Sequence, residues 1–180
     1  MNKTEYKRQK RREYNDKYKL KQWNKNKLFV NRVKRIFGCC ECGYNKKPQA
    51  MDFHHLKDKK FAISVMVRSG FTIKLIKEEI RKCRLLCGNC HRKVHNTDKK
   101  KHSIEKTKAI NTYKIYNQCI FCKESDIRCL DLHHRDPSQK TQDISRMLRS
   151  VHISLEQLLT ELAKCDVVCV NCHRELHNPI

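Results

Sequence analysis

Cys169-Val170-Asn171-Cys172-His173-Arg174-Glu175-Leu176-His177-Asn178 decides how this chain is read. Cys87-Gly88-Asn89-Cys90-His91-Arg92-Lys93-Val94-His95-Asn96 writes the same pattern 82 residues earlier. Two more blocks recur in the same order. Cys39-x-x-Cys42 returns as Cys119-x-x-Cys122, 80 residues on, and Asp52-Phe53-His54-His55 returns as Asp131-Leu132-His133-His134, 79 residues on. Three ordered matches with a drifting offset describe a tandem repeat with short loop insertions. They divide the chain into an arm (1–38), module one (39–96), a Lys-rich linker (97–118) and module two (119–180).

Inside each module the local patterns agree. Met51 to His54 and Leu130 to His133 alternate apolar and polar, as a half-buried strand does, with Phe53 and Leu132 facing the core. The His pairs then fall at the strand ends. Ser154 and Gln157 make a capping box ahead of Leu155, Leu158, Leu159 and Leu162, and Thr72 caps Ile73, Ile76 and Ile80 at the matching place. A final short helix is expected to carry Cys90 to His95 and Cys172 to His177.

Each module holds two Cys-x-x-Cys turns, separated by 44 residues in module one and 46 in module two. One such turn aims two thiolates at one centre, and two close a tetrahedron, the arrangement of a structural zinc site. Cys39, Cys42, Cys87 and Cys90 are assigned to one zinc. Cys119, Cys122, Cys169 and Cys172 are assigned to a second. A redox dithiol is the alternative, but redox pairs do not come as matched double turns. Cys40 competes with Cys39 only weakly, because Cys119 matches Cys39. Cys83 and Cys165 end apolar helix patterns and read as small buried side chains. Cys129 has no partner in the pattern.

Four histidines per module remain: His54, His55, His91 and His95, then His133, His134, His173 and His177. His91 and His95 are one helical turn apart and share a face, so both can reach one metal ion. His54 and His55 are neighbours on a strand and point to opposite sides.

The paired His after a Cys-x-x-Cys, followed by Cys-x-Asn-Cys-His-x-x-x-His, resembles the HNH endonuclease family, in its zinc-containing phage and homing-type branch. The resemblance covers both modules. It implies an α+β fold of two small ββα-metal, treble-clef-like modules. It places His54 and His133 at the first catalytic-metal ligand, His91 and His173 at the second, and His95 and His177 at the third ligand of some members. It places His55 and His134 at the general base. Asp52 and Asp131, on the strand face of His54 and His133, are read as partners that orient a liganding imidazole. Where the family has its middle Asn, this chain has Cys83 and Cys165, so the usual brace beside the base is missing. One divalent catalytic ion per module is implied. Mg2+, Mn2+, Ni2+ and Zn2+ are all candidates, and an all-imidazole site suits the last three better than Mg2+.

Charge points to a polyanion. The chain of 180 residues carries 41 Lys and Arg against 19 Asp and Glu, a net charge of +22. The arm alone has 14 basic and 3 acidic residues, interleaved with Tyr6, Tyr14, Tyr18 and Trp23. Such a segment, helical or solvated, can neutralise phosphates and stack on bases. Lys7, Arg8, Lys10, Arg11, Arg12 and Trp23, with Arg92 and Arg174 in the modules, are the expected DNA contacts. Lys99, Lys100, Lys101, Lys106 and Lys108 extend the basic track. Double-stranded DNA is the favoured partner, RNA a rival, and a membrane the weakest candidate, since no apolar run approaches the roughly 20 residues of a span. No signal peptide is read at the N-terminus, so a reducing, cytoplasmic setting is expected, where metal-like cysteine spacing favours zinc over disulfides. The expected protein is a monomeric internal pseudo-dimer that hydrolyses DNA phosphodiesters, nicking or cutting both strands. Its rival is a non-catalytic zinc-stabilised nucleic-acid-binding protein.

Overall fold

The computed structural model describes residues 3–95 and 103–179. Asn96, Lys99, Lys100 and Lys101 lie outside them. The chain is mixed α+β and forms two compact units, one through Leu86 and one from Cys87 onward.

The first unit begins with helix α1 (Lys3–Phe37), then strand β1 (Met51–His55), helices α2 (Ile63–Arg68) and α3 (Ile73–Ile80), and strand β2 (Cys83–Cys87), which forms a two-stranded sheet with β1. From Glu5 to Lys21 every α1 side chain is exposed. The helix then docks through residues four apart, which share one face. Asn26 Nδ2 donates to Phe71 O at 2.8 Å, and Lys34 Nζ donates to Pro48 O at 3.1 Å and Met51 O at 2.6 Å. Between them Val30 enters a small core with Ile63, Met66, Val67 and Ile76, flanked by Phe53. Thr72 Oγ1 caps α3 by accepting from Leu75 N at 3.4 Å.

The second unit contains α4 (Gly88–His95), α5 (Ile104–Asn117), β3 (Leu130–His134), α6 (Ile144–Arg149), α7 (Leu155–Leu162), β4 (Cys165–Cys169) and α8 (Val170–Leu176). β3 and β4 pair antiparallel, with Leu130 opposite Cys169 and His134 opposite Cys165. α5 lies in the stretch read as a linker, yet it is packed. Ile110 is buried with Ile144, Met147, Leu158, Leu162 and Cys165. Lys106 is buried too, donating to Ser150 O at 2.7 Å, and Lys114 donates to Leu130 O at 2.7 Å. A lysine run misleads here because the long stems reach buried carbonyls. The capping box is present: Ser154 Oγ accepts from Gln157 N at 3.1 Å and Gln157 Oε1 accepts from Ser154 N at 2.8 Å. Cys83 and Cys165 open strands instead of ending helices, although each thiol still donates back to the preceding turn, to Glu79 O at 3.3 Å and Glu161 O at 3.5 Å.

α4 closes the first repeat in sequence but folds with the second unit. Asn89 and Asn171 hold it there by a reciprocal exchange. Asn89 N donates to Asn171 Oδ1 at 3.2 Å, and Asn171 N donates to Asn89 Oδ1 at 3.1 Å. The approach is close enough that a Cβ on Gly88 would stand 2.5 Å from Val170 Cγ1.

Candidate metal centres

The cysteine turns bring their ligand atoms together. The Sγ atoms of Cys119, Cys122, Cys169 and Cys172 lie within 4.8 Å of one another, and those of Cys39, Cys42, Cys87 and Cys90 form a second such group. Cys122 Sγ and Cys169 Sγ are 3.6 Å apart. A zinc tetrahedron with Zn–S near 2.3 Å places its sulfurs about 3.8 Å apart, so the thiols fit a zinc ion. Burial and the neighbouring Cys169 thiol push Cys172 up, which is the behaviour of crowded thiols that need a cation to ionise. Backbone N–H groups of Cys169, Cys122 and Phe121 outweigh burial at Cys119 and hold its thiol down. The turn at the knuckle needs a left-handed residue, supplied by Gly43 (φ 71°) in the first repeat and Lys123 (φ 61°) in the second.

The histidines form a further group. His133, His173 and His177 offer nitrogens within 4.8 Å of one another, and His91 and His95, one turn apart on α4, hold their ring centres 4.8 Å apart. His133 comes from the end of β3 and His173 from α8. His177 is the residue just past that helix, its N–H still bonded to His173 O at 3.3 Å. His133 Nδ1 and His173 Nε2 are 3.2 Å apart. Two imidazoles on one tetrahedral ion at 2.0–2.1 Å place their nitrogens about 3.4 Å apart, so this group also suits a metal. Burial, together with the two neighbouring imidazoles, pushes His133 down and keeps it neutral, the form that ligates.

Asp131 sits behind His173. Its Oδ2 is 3.2 Å from His173 Nδ1, and burial of this carboxylate is outweighed by His173 and Arg92, which hold its pKa below the usual range. An ionised acceptor there requires His173 to carry its proton on Nδ1, leaving the Nε2 lone pair toward the cluster. The imidazole that Asp131 orients is thus His173, on α8, and not its strand neighbour His133. Arg92, expected at DNA, donates through Nη1 to Asp131 Oδ1 at 2.6 Å and through Nη2 to Oδ2 at 3.3 Å. Asp52 is half-buried on β1.

The second His of each pair faces a carboxylate that the motifs do not point to. His134 Nε2 is 2.9 Å from Glu161 Oε1, and Glu161 is 2% exposed. The same oxygen accepts from Thr141 N at 2.8 Å and Gln142 N at 3.4 Å, while Oε2 accepts from Lys164 Nζ at 2.7 Å. Burial raises this carboxyl, but Lys164, the Thr141 amide and His134 outweigh it and hold it at about 2. An anion at that position takes the Nε2 proton of His134 as a hydrogen bond and leaves Nδ1 with its lone pair. Within the first unit Glu79 does the same for His55, at 3.1 Å from Nε2, with Lys60 N at 2.8 Å, Phe61 N at 3.4 Å and Lys82 Nζ at 2.8 Å. The carboxylate that holds the second His of each pair thus stands four residues before Cys83 and before Cys165. The signal was in the repeat: Glu-x-x-Lys-Cys occurs at Glu79 and again at Glu161.

Of the expected nucleic-acid contacts, Lys7, Arg8, Lys10, Arg11 and Arg12 are exposed on α1. Trp23 is 37% exposed, with Lys27 Nζ 5.5 Å from its ring centre. Arg174 is half-buried and Lys108 exposed. No helix among the described residues is long and apolar enough to cross a membrane. Comparison with protein-family models, curated proteins and solved structures gives no match.

Proposed function

We propose that this chain is a zinc-stapled, metal-dependent DNA endonuclease of the HNH type. The observation that carries the reading is one strand end with two differently prepared imidazoles. His133 joins His173 and His177 in a group open to solvent, and His134 is held by buried Glu161. A closed four-thiolate site has no position left for a substrate, whereas three nitrogens leave positions for water and phosphate.

The chain's own residues have separable tasks. A divalent ion, when held by the three histidines, would neutralise phosphate charge and ease departure of the 3′ oxygen. His134 takes a proton from water at Nδ1, and the Glu161 anion at Nε2 stabilises the imidazolium that results. Asp131 keeps His173 in the tautomer that offers Nε2. The exposed basic length of α1 supplies sequence-independent attraction to phosphates. That same exposed helix also favours a second reading, a zinc-stapled nucleic-acid-binding protein without chemistry.

Supercoiled plasmid separates the two. Purified protein is incubated with Mg2+, Mn2+, Ni2+ or Zn2+ beside His55→Ala, His134→Ala and the double variant. Nicked or linear DNA from the wild type, abolished in the double variant while zinc content and DNA affinity stay, is the expected result. Intact plasmid under every metal, with tight binding retained, overturns the nuclease. Competition by RNA of matched length then decides which nucleic acid is held.

A further inference from the structure

We infer that Arg92, on the helix that closes the first repeat, is a positioning residue for the histidine metal centre of the second repeat. The inference rests on the reading of His133, His173 and His177 as that centre. Arg92 grips Asp131 through two N–H groups, at 2.6 Å and 3.3 Å, and the Oδ2 that takes the longer bond is also 3.2 Å from His173 Nδ1. The path runs from Arg92 through Asp131 to His173, with His173 Nε2 next to His133.

An exposed ion pair commonly contributes little. This one differs in two respects. A two-pronged guanidinium fixes the plane of a carboxylate, not only its charge, so Asp131 cannot turn away from His173. The helix carrying Arg92 is itself fixed, by the Asn89–Asn171 exchange, by Cys129 Sγ donating to Asn89 O at 3.5 Å, and by Asn89 Nδ2 donating to Glu124 Oε2 at 3.3 Å. Arg92 is thus aimed by its own backbone. A second module without α4 would keep all its ligands and lose the group that holds one of them in line. The repeats are not two independent nucleases, because the second borrows a residue from the first.

The test uses full-length, zinc-loaded protein carrying His54→Ala, which removes one histidine of the first repeat's motif, titrated with Ni2+ by calorimetry. His173→Ala abolishes the binding event. Arg92→Ala weakens it roughly 10- to 100-fold, as does Asp131→Asn, the usual cost of removing a group that orients a ligand. The double variant Arg92→Ala/Asp131→Asn is no weaker than Asp131→Asn alone, because both act through one path. A merely structural role would add instead. Zinc content is read by native mass spectrometry. Should Arg92→Ala lose cysteine-bound zinc, Arg92→Lys, which keeps charge and stem but not the fork, carries the test and shows the same weakening. Affinity within twofold of the parent in the zinc-loaded Arg92 variant, with His173→Ala still abolishing binding, overturns this inference and leaves the metal centre standing. So do additive losses in the double variant. Full Ni2+ binding by His173→Ala removes the centre itself.

Discussion

Glu161→Gln is the substitution whose consequence can be worked furthest from the structure. Glu161 is 2% exposed and its two oxygens meet His134, Thr141 N, Gln142 N and Lys164. Its pKa falls from 4.5 to about 2. At about 1.4 kcal/mol per decade, that drop corresponds to about 3 kcal/mol favouring the ionised form in the fold. The sign follows from the direction. A carboxyl depressed in the folded state contributes in full above its unfolded value near 4.5, and the contribution is lost as pH falls toward 2. Glutamine removes it at every pH. Amide exchange at Thr141 reads the loss where it occurs, since that N–H ends on Glu161. At pH 7 the variant should exchange Thr141 on the order of a hundredfold faster than wild type. The ratio should hold from pH 5 to 7, because the titration lies below that window. A change under threefold at Thr141, in protein retaining both zincs, would mean that the carboxylate does not hold this loop and that its proximity to His134 is incidental.

Three further outcomes are expected. Native mass spectrometry should find two zincs on the wild type and one on Cys122→Ala, whose β4 amides then lose protection. Replacing Lys7, Arg8, Lys10, Arg11 and Arg12 together with Ala should flatten the plot of log DNA affinity against log salt by up to about 4.5, at about 0.9 for each phosphate no longer neutralised, with little change in sequence preference. Lys123→Gly should raise stability by about 1 kcal/mol in thermal unfolding, because Lys123 has a φ of 61° where the first repeat has Gly43 at 71°.

Much of the fold is legible in the chain because its signals are local or doubled. The alternation at Met51 to His54 and Leu130 to His133 marks two strands, and Ser154 with Gln157 marks a helix start. Matching Cys-x-x-Cys turns mark which thiols lie together. What escapes is whatever one residue's context inverts. Glu161 lies in an amphipathic helix, where a carboxylate ordinarily faces water, and its partner His134 is 27 residues away. The α5 lysines look like a solvated linker, yet Ile110 and Tyr113 bind the helix down, Tyr113 OH donating to Cys165 O at 2.9 Å. Asp131 shares a strand face with His133 but meets His173, which α8 brings from 42 residues on.

The two repeats also argue for function by what differs between them. Phe53 stands where the second repeat has Leu132, Ile76 where it has Leu158, and Gly43 where it has Lys123. Around those changes, each unit separately builds the same set: a strand His, a buried Glu, a Lys three residues on and two loop amides. A buried ion pair is a poor way to gain stability, and apolar residues of similar volume commonly do as well or better. The carboxylate nonetheless stands in both copies, with two loop amides, a lysine and the strand His as its partners. Its presence in both copies is explained if the requirement is an imidazole with a fixed tautomer, Nε2 toward the anion and Nδ1 free to accept a proton. A general base of the kind proposed would use such an imidazole, as a metal ligand would, whereas a closed four-thiolate site calls for none.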